Sequence, residues 1–410
     1  MKEGVKTVLE TVSQSNLFRS GALLFVALLL GALTGCPSVV DDPGDGSDGV
    51  LLLDGNQDPS VSSPLGKTSG EPNNSFMEPM VAVFDNSDSA KLQGNVSRAG
   101  DLDVFVLGSL SAGDRVLVDT ATRNSVLDTS IALFDSAGRL SFENDDRCEN
   151  FVDPDCLNSS IDWIVRHDAE RYFLVVTHAA FAAPSTTKVG SYTVDVRIER
   201  GGDVPAPRRQ VLLLDFNGAS VNSPVLGTLQ LTSFNAADID PAYQGQTDLI
   251  KQTIVDIMGE NYSRFNVVIA TSDDPPTIDG SLVSMIFFGG LNETAFGLAE
   301  AVDLNNIDLC DDAIIYTESF SPFQFTRLPT AEEMGVAIGN VTSHEAGHLL
   351  GLNHVSDDLD IMDDRSPADL FLSDQEFLES DLSSDIMSIG TQDSVLLLTE
   401  TVGLFDADPE

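Results

Sequence analysis

Basic residues are scarce in this chain: across 410 residues, 21 Lys and Arg face 65 Asp and Glu, for a formal net charge of −44. A surface so acidic repels phosphate backbones and anionic lipid, which excludes nucleic acid as a partner. Its plain consequence is solubility. Long apolar runs are lacking as well. The one at 22–30 is too short to cross a bilayer, and no other stretch could span one. Histidine is rare, with five residues in all. No serine or cysteine triad is evident, and His167 and His178 read as incidental.

The other three histidines sit within one short stretch, His344-Glu345-Ala346-Gly347-His348-Leu349-Leu350-Gly351-Leu352-Asn353-His354. Positions four apart share a helix face, so His344 and His348 can present two imidazoles to one metal ion. Glu345 is placed where its carboxylate can reach a water on that metal. Gly351 lacks a Cβ and readily takes the left-handed conformation that ends a helix and turns the chain. That turn brings back His354 as a third ligand. Three protein ligands and an open position describe a catalytic zinc site, whereas structural sites are closed. Thr330 and Glu333 fit a capping box opening a proline-free helix over 331–350. Met334, Ile338, Val341 and Leu349 would bury that helix against a sheet. A core helix with chance histidines is the bland alternative, and the full pattern in so histidine-poor a chain outweighs it.

The stretch HEAGHLLGLNH resembles the metzincin signature HExxHxxGxxH, and Met362 follows His354 at the spacing of the matrixin Met-turn. The resemblance implies a metallopeptidase whose Zn2+ is held by His344, His348 and His354. Glu345 would be the general base and Met362 a structural residue packed beneath the ligands. It also implies an antiparallel edge strand at Phe296, Gly297, Leu298, Ala299, Glu300 and Ala301. Protein or peptide substrates would add to that edge as a further strand. Two residues depart from the matrixin pattern. Val355 stands where matrixins have serine, and Asp364 where they place a proline. Asp364 also holds the position of the extra tyrosine ligand of astacins and serralysins, so that ligand is not expected.

The expected fold is multidomain, an all-β jelly-roll-like sandwich followed by an α/β (α+β) metzincin-type catalytic domain. Residues 1–35 read as a signal peptide, with Lys2, Lys6 and Arg19 before the apolar run. The run ends at Leu33-Thr34-Gly35-Cys36, which resembles a bacterial lipobox and implies lipidation of Cys36. Residues 36–70, rich in Asp, Gly, Ser and Pro, read as a disordered acidic tether. Short alternating strands over 71–200 indicate the sandwich. Glu71-Pro72-Asn73-Asn74-Ser75, Gly100-Asp101-Leu102-Asp103-Val104-Phe105 and Leu133-Phe134-Asp135-Ser136-Ala137-Gly138 resemble the pre-peptidase C-terminal domain of secreted bacterial proteases. A linker at 201–209 leads to the catalytic domain, 210–405, with a last helix expected from Leu372-Ser373-Asp374-Gln375 and another within 389–403.

Cys148 and Cys156 would form a local disulfide in an exported protein, which leaves Cys310 unpaired. Asp145 and Asp146 are candidate ligands for structural Ca2+, although Asp-rich turns commonly just cap hairpins. The expected function is therefore an exported, lipid-anchored zinc endopeptidase of the cell envelope or surface, acting on extracellular or envelope proteins. The alternative is a surface lipoprotein that binds or adheres and carries a vestigial peptidase domain. The intact histidine set argues against it.

Overall fold

The computed structural model describes residues 71–122, 127–147, 156–180, 186–223, 225–274 and 283–405. The expected signal peptide and tether, with Cys36, lie outside the described residues, as does Cys148. Among the described residues no helix is long and apolar enough to cross a membrane.

The first half is all strand. Its elements are β1 (Met80–Val81), β2 (Ser89–Val96), β3 (Asp103–Leu110), β4 (Arg115–Ala121) and β5 (Thr129–Phe134). β6 (Leu140–Asn144), β7 (Ser160–Ile164), β8 (Ala169–His178) and β9 (Gly190–Glu199) follow. They form two sheets, ordered β1-β3-β8-β5-β6 and β2-β9-β4-β7. β9 alternates strictly, with Tyr192, Val194, Val196 and Ile198 buried, because one face meets the opposing sheet and the other meets solvent. β5 is buried at every position. Ile131 and Leu133 point into the sandwich core, while Ala132 and Phe134 pack with Leu382 and Met387 from the second half of the chain. A strand covered on both faces reads as a continuous apolar run.

The second half opens with β10 (Gln210–Asp215), a hairpin of β11 (Ser220–Ser223) and β12 (Gly227–Gln230), and the short α1 (Ala236–Ile239). Next come α2 (Thr247–Asn261), β13 (Val267–Thr271), β14 (Val283–Phe288), β15 (Gly297–Ala299), β16 (Asp312–Ile315) and α3 (Ala331–Leu349). A second hairpin, β17 (Glu379–Asp381) with β18 (Thr391–Asp393), precedes α4 (Ser394–Thr401). The main sheet runs β13-β10-β14-β16-β15, parallel except for β15, which is antiparallel at the edge. α2 and α3 pack on it through Ile250, Ile254, Met258, Met334, Ile338 and Val341, all part of one core cluster.

Three expectations change. No helix starts at Leu372: Ala368–Leu372 is a 3₁₀ turn and the chain then runs extended. The buried Asn340 side chain donates to the carbonyls of Phe371 and Ser373, at 3.0 and 2.8 Å, and so fastens this segment to α3. Within 389–403 only Ser394–Thr401 is helical, because Thr391–Asp393 pairs as β18. Cys310 is disulfide-bonded, as is Cys156, and none of the described cysteines is free. Chain spacing does not record which sulfurs meet in space, so counting misjudged Cys310.

Candidate metal centre

α3 carries the site because both of its ends are held. At its start the Thr330 side chain accepts from the Glu333 backbone, while Glu333 accepts from the Thr330 backbone, completing the capping box. At its end Gly351 sits at φ +94°, and a Cβ there would come within 2.9 Å of the Asp303 carbonyl. The Gly351 and Asp303 amides both donate to the His348 carbonyl, at 2.9 Å each. The chain therefore reverses at once and returns His354 to the helix face.

The three imidazoles converge. His348 Nε2 lies 3.1 Å from His344 Nε2 and 3.2 Å from His354 Nε2. His344 Nδ1 is 2.7 Å from the Ile361 carbonyl and His348 Nδ1 is 2.7 Å from the Leu352 carbonyl. Only a ring nitrogen bearing hydrogen can donate to a carbonyl, so these two contacts leave the lone pairs on Nε2, facing one another. Nitrogens bound tetrahedrally at the usual zinc distance stand about 3.3 Å apart, which matches both separations from His348, and the ligand atoms of all three histidines lie within 4.8 Å of one another. All three rings are buried, and burial with neighbouring imidazoles pushes His344 and His348 down to about 3 and His354 well below its ordinary value. The cluster is thus a set of neutral donors, the form a metal requires.

Glu345 is also buried, and desolvation raises its carboxyl to about 8 against an opposing hydrogen bond from the Ala299 backbone on β15. Met362 is fully buried, and its sulfur lies against the helix backbone at Gly347, between the first two histidines. Its carbonyl accepts from the Val355 amide at 3.0 Å, tying this turn to the segment that bears His354.

The expected edge segment is divided in its roles. Phe296 points into the core, stacked on Phe320 and Phe371 with centroids 4.5 and 5.9 Å away. The Phe296 carbonyl accepts from the Tyr316 amide and the Glu300 amide donates to the Asp312 carbonyl. With period two, Leu298 pairs inward as well, so Gly297 and Ala299 direct their backbone groups to the open edge. The Glu300 carboxylate is buried and accepts from Ser223 and from the Asp312 amide. Ala301 lies beyond the strand.

Asp364, which departs from the matrixin pattern, is close by. Ligating atoms of His354, Asp364 and Asp385 all lie within 4.8 Å of one another. Arg365 balances the two carboxylates, 3.3 Å from Asp364 and 3.7 Å from Asp385. Among the described residues, Asp145 and Asp146 belong to no such group of three ligands. His167 and His178 are far from the centre in the chain and join other contacts: His178 accepts from the Gly100 amide, and His167 bridges Asp135 and Glu400.

No family model matches the chain, and no curated protein matches it. Among solved structures it is similar to a zinc-dependent peptidase from Methanocorpusculum labreanum, at 13% identity over 46% of this chain and 99% of the other, TM-score 0.25. It is also similar to PliG of Salmonella Typhimurium, a periplasmic inhibitor of g-type lysozyme, at 20% identity over 30% and 97%, TM-score 0.22. A third likeness is to the pre-peptidase C-terminal domain of a Bacillus anthracis collagenase, at 10% identity over 27% and 89%, TM-score 0.19.

Proposed function

We propose that this protein is a zinc-dependent endopeptidase of metzincin type. The observation that carries the reading is one arrangement: three buried Nε2 atoms at ligand spacing, beside a buried carboxylate hydrogen-bonded to an edge strand. A zinc ion held by His344, His348 and His354 would supply a Lewis acid that polarises a carbonyl and acidifies water. The residues supply the rest. Glu345 takes the proton from the attacking water and delivers it to the leaving amine. The Ala299 amide orients that carboxylate, and Gly297 offers edge backbone groups to an extended peptide. Met362 supports the floor of the site without touching the reacting atoms.

Export and lipid attachment through Cys36 belong to the same reading, with the first half of the chain as an appended pre-peptidase C-terminal-like module. They rest on the sequence at residues 1–36. The test is the full-length protein assayed for zinc by elemental analysis and for activity on a casein zymogram. About one zinc per chain with cleavage in the wild type, and zinc without cleavage in Glu345→Ala, is the expected result. Zinc bound without hydrolysis of any peptide or protein tried would overturn the enzymatic reading.

A further inference from the structure

Away from the histidines, a cavity of about 710 Å³ opens where the two halves of the chain meet. Its walls include Trp163 of β7, Arg166 just beyond that strand, Arg208 from the linker and Asn305 from the loop after β15. The chain has three acidic residues for every basic one, yet here three arginines, Arg115, Arg166 and Arg208, line one cavity. Arg166 donates to the carbonyls of Pro205 and Glu400, at 2.8 and 3.1 Å, and to the Asn305 amide oxygen at 3.5 Å. Arg208 donates to the Asn306 carbonyl. Every one of these acceptors is uncharged.

Two of the nearby carboxylates are already matched to other cations. Asp162, on the cavity wall, is gripped by Arg115 through two contacts of 2.6 Å. Glu400 holds His167 at 2.7 Å. Asp303, buried and close enough to sense Arg208, is occupied by the Asp308 amide at 2.9 Å. Among the described residues neither Arg166 nor Arg208 forms an ion pair, and the cavity lining holds three arginines to one aspartate. Burial and the neighbouring Arg208 both work against the Arg166 cation, with Glu400 only partly offsetting them. Trp163, 3% exposed, belongs to the sandwich core and borders the cavity wall.

We propose that this cavity is a binding site for a small oxyanion, a phosphate, sulfate or carboxylate, held by Arg166 and Arg208. Two guanidiniums, with their planar forks, suit such an anion better than any uncharged ligand. The repulsion of a strongly acidic protein does not prevent this, because at physiological salt it is screened over about 8 Å. The ligand would join the linker to both halves of the chain.

Trp163 is the sole tryptophan, so its emission reports on this site. Full-length protein is titrated with sodium phosphate, sodium sulfate and sodium acetate, each at ionic strength matched with NaCl, and followed by emission and by calorimetry. The expected result is saturable one-site binding of at least one anion, accompanied by a change in emission. Tighter binding of phosphate than of acetate identifies a dianion; the reverse identifies a carboxylate. Arg208→Gln, at an exposed linker position that leaves the core untouched, should weaken binding about tenfold or more. Arg166→Gln should weaken it as well, with circular dichroism confirming the fold. The proposal is overturned by the absence of saturable heat for all three anions, or by an Arg208→Gln variant that binds as the wild type does.

Discussion

Gly297 on the edge strand lies against the Glu345 carboxyl, so that a Cβ added at 297 would stand 2.5 Å from Glu345 Cγ. Real Cβ atoms essentially never come so close to another heavy atom. The glycine keeps free the volume in which the proposed base sits, 48 positions away in the chain. Gly297→Ala is expected to push Glu345 out of line while leaving the histidines in place. Turnover should fall by about two orders of magnitude or more at unchanged zinc content. Wild-type kcat in a folded Gly297→Ala variant would show that Glu345 has room to adjust or no part in the reaction.

Metal binding and proton transfer should separate cleanly. His354→Ala leaves two ligands and is expected to release zinc to a mild chelator, with activity lost in parallel. Glu345→Ala should hold about one zinc per chain and lose about two to four orders of magnitude in rate. Chelator competition followed by kinetics on the same samples distinguishes them. A Glu345→Ala variant that keeps near-normal turnover would assign the proton transfer elsewhere.

Asp364 is expected to matter to the metal more than to the fold. His344 and His348 have backbone carbonyls as outer partners, whereas His354 has the Asp364 and Asp385 carboxylates near its ring. Removing an outer carboxylate commonly costs a histidine site about 10- to 100-fold in metal affinity. Asp364→Asn should show that loss in zinc competition against a fluorescent chelator. An affinity equal to the wild type's would make Asp364 merely a partner for Arg365 and Ser383.

His167 makes stability depend on pH. Hydrogen bonds to Asp135 and then Glu400 raise it to about 9, above its ordinary value near 6.5. A histidine raised on folding contributes its full stabilisation below about pH 6.5 and loses it as pH climbs through 9. The comparison of wild type with His167→Gln by urea unfolding should therefore show a deficit of about 1–2 kcal/mol at pH 6, after allowance for a side chain partly open to solvent. At pH 10 the two should coincide. A deficit independent of pH would assign His167 a packing role only.

The histidine cluster was legible because its signal is local. Helical periodicity, one glycine and one capping box fall within 25 residues, and the backbone conformations they favour are short-range properties. Thr330, Gly351 and the three histidines therefore sit as the residues alone imply. Strands such as β5 and β8 were legible too, but as alternating strands; their burial on both faces comes from packing against the second half of the chain. The extended run after Leu372 was not, because it depends on Asn340 reaching two carbonyls more than 30 positions away.

By itself, then, the sequence determined which side chains can bind a metal and which stretches form helix or strand, through periodicity and turn chemistry. Only the tertiary structure decided that Gly297 shelters Glu345, that Asp364 neighbours His354, and that 382–389 covers the outer face of the first half's sheet. It alone set His167 against Glu400, 233 positions later, and brought three arginines to one cavity. Such contacts form between residues that impose no periodicity on each other. Their energies depend on which surfaces the packed chain brings together, and nothing in the local order of residues encodes that meeting.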